Sequence, residues 1–344
     1  MEFWEQVRED CNLGAFLMPP QRITGGYLHR MYRLDTERGS YAVKLLNLNI
    51  MARPDAKQNF DRAEYLERVL AEQGIPVISA LEWNGRKRQC AEGQYYYVFP
   101  WSDGKAIPWQ DIQVRHCLEA GRLLASIHRI PCKEQLGKQP GQERPLIEIS
   151  WESYQKLAGQ NCPELAELLR RHGGLLAAAQ KAYNQAIEQA PEATSICDGD
   201  MDCKNVLWIE GKPAVIDLEC LDYGNPWIEA FQLALSWAGG AVCELDYDRL
   251  QMFLQAYEEN IEELMAGQDC LPTSKLDWRN LYGAGFSWLD WLEYNVKRAL
   301  GLECQDGEEQ RLGLAEAKET LKRMVYYDSI REELIEKLGK TRKG

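Results

Sequence analysis

The chain has 344 residues, of which 45% are hydrophobic, and a formal net charge of −13 at pH 7. This length allows one large or two modest domains with a real core, and the acidic balance disfavours nucleic acid as a partner while tolerating a cationic ligand. No run of about 18 apolar residues occurs, and the N-terminal residues are rich in charge, so we expect neither a membrane partner nor a signal peptide. The eleven cysteines are scattered without C-x-x-C spacing, which indicates a reducing cytoplasm.

The N-terminal part of the chain has the pattern of a β-sheet with a glycine-bearing connection. After a short amphipathic segment, the pattern predicts strand, glycine loop and strand over residues 23–34, a turn at 37–40 and a strand at 41–46. Gly25 and Gly26 would let backbone amides approach a polyphosphate, although the glycine pair alone is better explained by an ordinary hairpin turn. Lys44 lies near the end of an apolar strand, where its amine could bind phosphates or simply reach water.

One helix and two further strands complete this N-terminal part. Apolar residues recur at helical spacing over residues 57–73, and the following glycine and proline end the predicted helix. Residues 78–83 and 94–99 are predicted to be strands joined by a charged turn. A polar, glycine-bearing segment at 100–104 follows the last strand.

The rest of the chain is predicted to be mainly helical. A long helix is expected over residues 111–130, with His128 on its apolar face, and a loop over 133–145. Residues 151–190 should form two helices separated by Gly173-Gly174. Further helices are predicted at residues 228–237, 247–265, 276–300 and 308–338.

A β-hairpin interrupts the helices at residues 205–217. Two short apolar runs flank the polar turn Glu210-Gly211-Lys212, so a hairpin that is symmetric about Gly211 would place Asn205 and Asp217 opposite each other. Their Cβ atoms would then be roughly 5 Å apart. An amide oxygen and a carboxylate are suitable ligands for Mg²⁺, although a surface hairpin with solvated acids is the plainer alternative.

The spacing of three polar residues resembles a known catalytic loop. Asp200 precedes Asn205 by five residues, and the hairpin ends in I-D-L-E at residues 216–219. This pattern resembles the protein-kinase-like superfamily, and most closely its aminoglycoside phosphotransferase and choline kinase branch, whose loop has the form H-G-D-x-x-x-x-N. The resemblance implies an α+β, bilobal protein-kinase-like fold with a small β-rich N-lobe and a larger, mainly helical C-lobe. It implies an N-terminal nucleotide-binding lobe at 1–97, a hinge at 98–104 and a C-lobe at 105–344 that carries the catalytic loop and the acceptor site.

The resemblance also implies roles for the catalytic loop and hairpin. Asp200 would be the base that orients the acceptor hydroxyl, and Asn205 and Asp217 would be the Mg²⁺ ligands. Glu219 occupies the family's following acidic position and is a candidate for substrate binding. His128 would brace the catalytic loop from below.

For the nucleotide, the resemblance implies that Lys44 binds the α- and β-phosphates of ATP, with GTP as the open alternative. A helix glutamate should pair with Lys44, for which we prefer Glu64 and keep Glu67 as the alternative. A backbone amide in the hinge should bind adenine. Because Pro100 has no N–H, Trp101 or Ser102 must supply it.

Two departures from kinase patterns narrow the function. Asp198 stands where the family has histidine, which puts the support of the loop in doubt and keeps a catalytically weak pseudokinase scaffold as an alternative. The chain lacks a long activation segment after Asp217, and Asp202 replaces a basic residue, so a peptide substrate is disfavoured. We therefore expect a kinase that acts on a hydroxyl of a small molecule, either aminoglycoside-like or a metabolite of the choline or homoserine type.

The acceptor itself is predicted only as a chemical class. Asp290 and Glu293 lie three residues apart on a predicted helix rich in Trp and Tyr, hence on one face. Carboxylates beside aromatic rings suit a cationic acceptor. The alternative is a packing helix whose acids face water.

Overall fold

The computed structural model describes residues 2–23, 28–131, 146–265, 276–304 and 306–340. Contacts between Cα atoms divide the chain into two compact units. We call Met1–Ile107 with Lys204–Asp222 the sheet unit, and Pro108–Cys203 with Tyr223–Gly344 the helical unit. The α+β architecture predicted from the sequence, with a small antiparallel sheet and a larger helical part, is confirmed. Among the described residues, no helix has the length and apolar character needed to cross a bilayer.

An antiparallel five-stranded sheet forms the core of the sheet unit, in the order β1-β2-β3-β5-β4. The strands are β1 (Gln21–Ile23), β2 (Arg30–Thr36), β3 (Gly39–Leu45), β4 (Gln89–Ala91) and β5 (Gln94–Pro100). Leu34, Val43 and Val98 are fully buried in one core cluster. Successive side chains of a strand point to opposite faces, so Lys44 lies on the other face, paired in register with Tyr97. That second face packs on a helix through Tyr97 and Phe60.

Among its described residues, the sheet unit contains three α-helices: α1 (Glu2–Asp10), α2 (Leu48–Met51) and α3 (Ala56–Glu72). The predicted helix at 57–73 is confirmed by α3, which buries Phe60, Leu66 and Leu70. The predicted strand at 78–83 is wrong. This segment makes isolated contacts instead of a ladder: the amide of Ile78 donates to Val215, and that of Leu81 donates to Val98. Its apolar residues signal burial, which an irregular segment also provides.

The predicted hairpin is present, with a register that differs by one residue. Strands β6 (Lys105–Ala106), β8 (Val206–Ile209) and β9 (Lys212–Val215) form a sheet in the order β6-β8-β9. Glu210 and Gly211 both have positive φ, 49° and 80°, which gives a two-residue turn. Consequently Asn205 stands opposite Ile216, whose amide donates to the Asn205 carbonyl at 2.9 Å. The expectation that Asn205 directly faces Asp217 assumed a three-residue turn and is wrong.

The hairpin belongs to the sheet unit by its contacts, whereas the sequence led us to place it in the C-terminal lobe. Strand β6 pairs with β8, and Val77 forms a parallel bridge with Val215 of β9. Both partners precede the helical unit in the chain. A boundary drawn once along the sequence therefore cannot separate the two units.

The helical unit contains two short strands and eight helices among its described residues. The strands are β7 (Ser195–Cys197) and β10 (Asp222–Gly224), the latter shared across the boundary between units. The helices are α4 (Val114–His128), α5 (Trp151–Asn161), α6 (Pro163–Gln189), α7 (Pro226–Trp237), α8 (Tyr247–Met265), α9 (Trp288–Ala299), α10 (Gly307–Ser329) and α11 (Arg331–Lys340). The predicted loop at 133–145 lies outside the described residues.

Three predicted helical segments are divided differently in the structure. The helix expected at 308–338 is interrupted at Ile330, between α10 and α11. The break expected at Gly173-Gly174 lies at Cys162, because Pro163 begins α6 and the residue before a proline avoids helical geometry. Leu169 and Leu176 are buried on either side of the glycine pair, so α6 continues through it. The helix expected at 276–300 is a 3-10 helix, Trp278–Phe286, followed by α9.

Candidate active site

A buried lysine is the centre of the candidate nucleotide site in the sheet unit. Lys44 is 6% exposed, and its Nζ donates to Asp217 Oδ1 and, at 2.5 Å, to Glu219 Oε2. Burial acts to lower the pKa of Lys44, but the charges of Glu219 and Asp217 outweigh it and raise the pKa above its ordinary value. Lys44 is therefore a charged amine in a fixed position, the form that binds phosphate oxygens.

Glu219 is held between Lys44 and a histidine that the sequence had not singled out. His29 Nε2 lies 2.7 Å from Glu219 Oε1, and His29 Nδ1 accepts the backbone N–H of Asn47 at 2.9 Å. Because Nδ1 is an acceptor, the ring proton lies on Nε2 and is donated to Glu219. Burial acts to raise the pKa of Glu219, but Lys44 and His29 outweigh it and lower the pKa to about 2. With both oxygens bound to protein donors, Glu219 is better suited to positioning Lys44 than to the predicted substrate contact.

Asp217 differs from Glu219 in exposure and in backbone geometry. Its side chain is 34% exposed, against 13% for Glu219. Its backbone is left-handed, with φ 65° and ψ 46°, directly before the 3-10 helix Leu218–Cys220. Such geometry is costly for a residue other than glycine and concentrates at functional sites. Asn205, on the facing strand end, is 5% exposed.

The helix glutamates bind partners other than the predicted one. Glu64 accepts a hydrogen bond from the Tyr97 hydroxyl at 2.8 Å and lies 3.6 Å from Arg88. Glu67 pairs with Lys87 at 3.0 Å and accepts the Ala80 amide at 2.9 Å. The expected pair between Lys44 and Glu64 is thus replaced by the pairs with Asp217 and Glu219. Glu64 and Glu67 still border Lys44, because all three side chains line one pocket that is partly open to solvent.

In the predicted hinge, one of the two backbone amides expected to bind adenine is already hydrogen-bonded to the sheet. The Trp101 N–H donates to the Ser40 carbonyl at 3.0 Å, and the guanidinium of Arg33 covers the indole ring at 4.3 Å. Trp101 therefore extends the β3–β5 pairing and is the weaker candidate for adenine, which leaves Ser102. The hydroxyl of Ser102 accepts the Gly104 amide at 3.1 Å. Gly25 and Gly26 lie outside the described residues.

In the helical unit, the predicted catalytic residue Asp200 lies in a loop after β7. The Asp200 amide donates to Asp198 Oδ1 at 3.1 Å, and Asp198 is fully buried. Gly199 has φ 78°, a left-handed conformation that glycine adopts without cost. Asp198 thus supports the loop through the backbone of Asp200, although it replaces the family's histidine.

A buried chain of hydrogen bonds holds the same loop from below. Glu229 on α7 accepts the Gly199 amide at 2.5 Å, and its other oxygen lies 2.7 Å from His128 Nε2. His128 Nδ1 lies 2.8 Å from the hydroxyl of Tyr257. Burial acts to raise the pKa of Glu229, but hydrogen bonds from His128 and Gly199 outweigh it and lower the pKa. His128 has the bracing position that was expected of it.

Three side chains near this loop are also close enough together to be considered as metal ligands. The potential ligand atoms of His128, Cys197 and Glu229 lie within 4.8 Å of one another. Because a carboxylate can only accept, Nε2 of His128 carries the proton that it shares with Glu229. In this arrangement His128 and Glu229 act as a hydrogen-bonded brace of the loop. Trp237, which the sequence gave no reason to single out, adds a hydrogen bond from its indole to the Met201 carbonyl at 2.9 Å.

The predicted acceptor carboxylates share one face of α9 and differ in their partners. Glu293 accepts from the Tyr154 hydroxyl at 2.6 Å and pairs with Lys297 at 3.2 Å, so its charge is largely compensated. Asp290 is exposed. Although the side chain reaches solvent, surrounding protein atoms partly desolvate the carboxyl, and this effect, with repulsion from Glu293, raises the pKa of Asp290.

Comparison with known proteins identifies the family of the chain. The sequence profile of the Phosphotransferase enzyme family matches residues 20–264, a stretch that contains Lys44, the Asp200 loop and the hairpin. The chain belongs to this family. A search of curated protein sequences finds no match.

Solved phosphotransferases share the fold at low sequence identity. A spectinomycin phosphotransferase in complex with ADP and spectinomycin has a TM-score of 0.63 at 13% identity, covering 94% of this chain and 98% of its own. Amicoumacin kinase in complex with AMP-PNP and Ca²⁺ has 0.59 at 14%, with 93% of each chain covered. Ethanolamine kinase from Plasmodium vivax has 0.57 at 16%, covering 89% of this chain and 83% of its own. The predicted family, its fold and its class, a phosphotransferase with an alcohol group as acceptor, are confirmed.

Proposed function

We propose that this phosphotransferase transfers the γ-phosphoryl group of ATP to a hydroxyl of a small cationic molecule, with Mg²⁺ as cofactor. The observation that carries the proposal is the buried amine of Lys44, held in its charged form by Asp217 and Glu219. A buried cation on a strand of this sheet is suited to binding a polyphosphate. ADP and AMP-PNP in the related structures support an adenine nucleotide, and GTP remains the alternative donor.

In this proposal each segment has one task. Lys44 binds the α- and β-phosphates, and Ser102 supplies the hinge amide for adenine. Asp200 orients the acceptor hydroxyl and takes its proton as the new P–O bond forms. The bond from the γ-phosphorus to the bridging oxygen breaks, and ADP leaves.

The residues proposed as metal ligands fit a hard cation. Asn205 and Asp217 offer oxygen donors only, which suits Mg²⁺. Lys44 engages one oxygen of Asp217, and an ionised carboxylate keeps further lone pairs for a metal. Bound Mg²⁺ would neutralise negative charge on the nucleotide phosphates.

We propose a cationic acceptor because an exposed acid and aromatic rings coincide on α9. Asp290 is exposed beside Trp291, whose ring centroid lies 5.6 Å from that of Tyr294. Such a surface binds ammonium groups through ion pairing and cation–π contact. Glu293, already compensated by Lys297, would contribute less than Asp290. The spectinomycin and ethanolamine in the names of related enzymes support a hydroxylated amine, and metabolites of the choline or homoserine type are the alternative.

The alternative of a pseudokinase scaffold was motivated by Asp198. Because Asp198 accepts a hydrogen bond from the Asp200 amide, the loop is supported without the histidine, and the reason to favour a scaffold is weaker. Together with Glu229 and His128, Asp198 gives Asp200 a braced position that a scaffold would not need. We therefore favour an enzyme.

The proposal is tested by ATP consumption with a panel of hydroxylated amines, neutral metabolites and antibiotics, with and without Mg²⁺. In the first of our predictions, Asp217→Asn weakens the apparent affinity for Mg²⁺ about 10-fold or more, because a ligand charge is lost, and slows turnover. Glu210→Gln, which removes an exposed acid from the turn of the same hairpin, is the control. An unchanged Mg²⁺ dependence in Asp217→Asn would refute the metal assignment.

A further inference from the structure

The strongest feature to which no role has yet been given is the imidazole of His29, which bonds two other segments of the sheet unit. His29 is 6% exposed and directly precedes β2. Its Nδ1 accepts the amide of Asn47, the N-cap residue of α2. Its Nε2 donates to Glu219 beyond the hairpin. One side chain therefore connects three segments of the sheet unit.

We propose that His29 is a positioning residue for phosphoryl transfer, which holds Glu219 in the orientation that fixes Lys44 for the nucleotide phosphates. The inference rests on the proposed function. His29 touches neither the nucleotide nor the acceptor in this account. It acts through Glu219, one of whose oxygens it binds while Lys44 binds the other.

Glu219 is the partner of Lys44 that can persist when nucleotide binds. Asp217 is the proposed metal ligand and its side chain is more exposed, 34% against 13% for Glu219. Its contact with Lys44 can therefore be exchanged for contacts with metal and phosphate. Glu64 and Glu67, the helix glutamates, are bound to Tyr97 and Lys87. The lasting counter-charge of Lys44 is thus Glu219.

The ring of His29 is fixed from both sides. Rotation of the imidazole would cost the Asn47 amide or the Glu219 carboxylate its hydrogen bond to the ring in a partly buried place. The two nitrogens consequently have separate tasks: Nδ1 anchors the ring to Asn47, and Nε2 positions Glu219. This separation makes the two tasks experimentally distinguishable.

Two substitutions each preserve one of the tasks. In His29→Gln, the side-chain amide nitrogen can reach the place of Nε2 and donate to Glu219, but the acceptor for Asn47 is lost. In His29→Asn, the side-chain oxygen can take the place of Nδ1 and accept from Asn47, but the donor to Glu219 is lost. His172→Asn, on α6, is the control for loss of an imidazole. The measurements are calorimetric affinity for MgAMP-PNP, KM for MgATP, kcat and the melting temperature.

We expect a double dissociation. His29→Asn weakens MgAMP-PNP binding and raises KM for MgATP by about 10-fold, the effect of losing a hydrogen bond to a charged group, with a melting temperature near that of the wild type. His29→Gln keeps nucleotide affinity within about 3-fold of the wild type, while its melting temperature falls because the partly buried Asn47 amide loses the imidazole acceptor. His172→Asn changes neither the affinity for MgAMP-PNP nor the KM for MgATP.

Glu219→Gln provides an independent comparison with Glu64→Gln. If Glu219 is the lasting partner of Lys44, its neutralisation weakens MgAMP-PNP binding more than that of Glu64 does. The reverse ranking would restore the helix glutamate as the partner and overturn the proposal.

Equal nucleotide affinities of His29→Asn and His29→Gln would also overturn it, because a purely structural histidine would not distinguish the two. These failures are separable from failure of the proposed function. If the wild-type protein binds no MgAMP-PNP and consumes no ATP, the proposed function is wrong. If it does both and the His29 variants match it, only the role of His29 is wrong.

Discussion

The hydrogen-bond donors beside Glu219, Asp217 and Glu229 distinguish these three carboxylates from one another. Glu219 has one oxygen on Lys44 and the other on His29, whereas Asp217 shares Lys44 and is more exposed. Glu229 is bound to His128 and the Gly199 amide. Spacing in the sequence indicated that Asp217 and Glu219 matter, yet it could not divide the tasks between them. The partners His29 and Asn47 are distant in sequence and carry no motif.

At Asp198 the sequence raised a question that only three-dimensional contacts answer. The substitution for the family's histidine suggested a weakened loop. A short carboxylate can accept the amide two residues ahead of it, and Asp198 does so with Asp200. Loop support was therefore kept by different chemistry, which residue identity alone does not reveal.

The brace under the Asp200 loop leads to a prediction for Glu229. Glu229→Ala should lower the free energy of unfolding by about 3 kcal/mol, because His128 and the Gly199 amide lose a buried, ionised partner. Glu229→Gln should cost less than half as much, since an amide can accept from Gly199 and donate to His128 in its other tautomer. Urea unfolding at neutral pH measures both. Equal losses in the two variants would show that the hydrogen bonds of Glu229 contribute little.

The same variants test the pKa of Glu229. Its pKa is lower in the folded protein than its ordinary value of 4.5. The stability that the ionised form contributes is therefore present above that value and is lost as the pH falls through the folded-state pKa. Glu229→Gln should accordingly lose less stability than the wild type on acidification below pH 4.5. A parallel loss in both proteins would contradict the assignment.

At the scale of elements, periodicity located the long helices and the hairpin, but local turn chemistry decided their ends. The helix at 57–73 and that at 111–130 were recognisable because one face of each is apolar. The hairpin register shifted because Glu210 adopts a left-handed conformation that charged residues seldom take. Gly173-Gly174 did not end α6, because buried leucines on both sides keep the helix packed and outweigh its low propensity.

Two glycines on different helices should respond oppositely to the same substitution. A methyl group at Gly121 on α4 would lie 2.4 Å from the carbonyl oxygen of Phe253 on α8, whereas one at Gly173 on α6 meets nothing within 4 Å. Gly121→Ala should therefore destabilise the protein by about 1 to 3 kcal/mol through overpacking. Gly173→Ala should stabilise it by about 0.5 to 1 kcal/mol through helix propensity.

Thermal unfolding of both glycine variants measures the difference, and each serves as the other's control. A fall in melting temperature for Gly173→Ala would mean that α6 is interrupted there, as the sequence alone had suggested. A neutral Gly121→Ala would contradict the close approach of α4 and α8.

For the whole molecule, the order of parts was predictable because each part has a chemical signature. The glycine pair, Lys44 and the D-x-x-x-x-N loop follow one another as in the phosphotransferase family, and the family match covers residues 20–264. The grouping of the hairpin with the sheet unit was not predictable from the sequence. It depends on pairing with β6 and Val77, which precede the hairpin by about a hundred residues or more. The acceptor was predictable only as a chemical class, because the surface residues proposed to recognise it, such as Asp290, carry no sequence motif.

Product analysis tests most directly whether Asp200 serves the transfer of a phosphoryl group to a small-molecule hydroxyl. The acceptor that supports ATP consumption is incubated with MgATP, and the product is analysed by mass spectrometry and ³¹P NMR for wild type, Asp200→Asn and Asp202→Asn. Asp202→Asn removes a carboxylate from the same loop and is the matched control.

We predict one phosphate monoester per ADP for the wild type and for Asp202→Asn. Asp200→Asn should lower kcat by about 10² to 10⁴-fold with unchanged affinity for MgATP, because a base that orients the hydroxyl is lost while the nucleotide site is intact. MgATP binding without a phosphorylated product from any hydroxylated acceptor, or turnover of Asp200→Asn at the wild-type rate, would contradict the account.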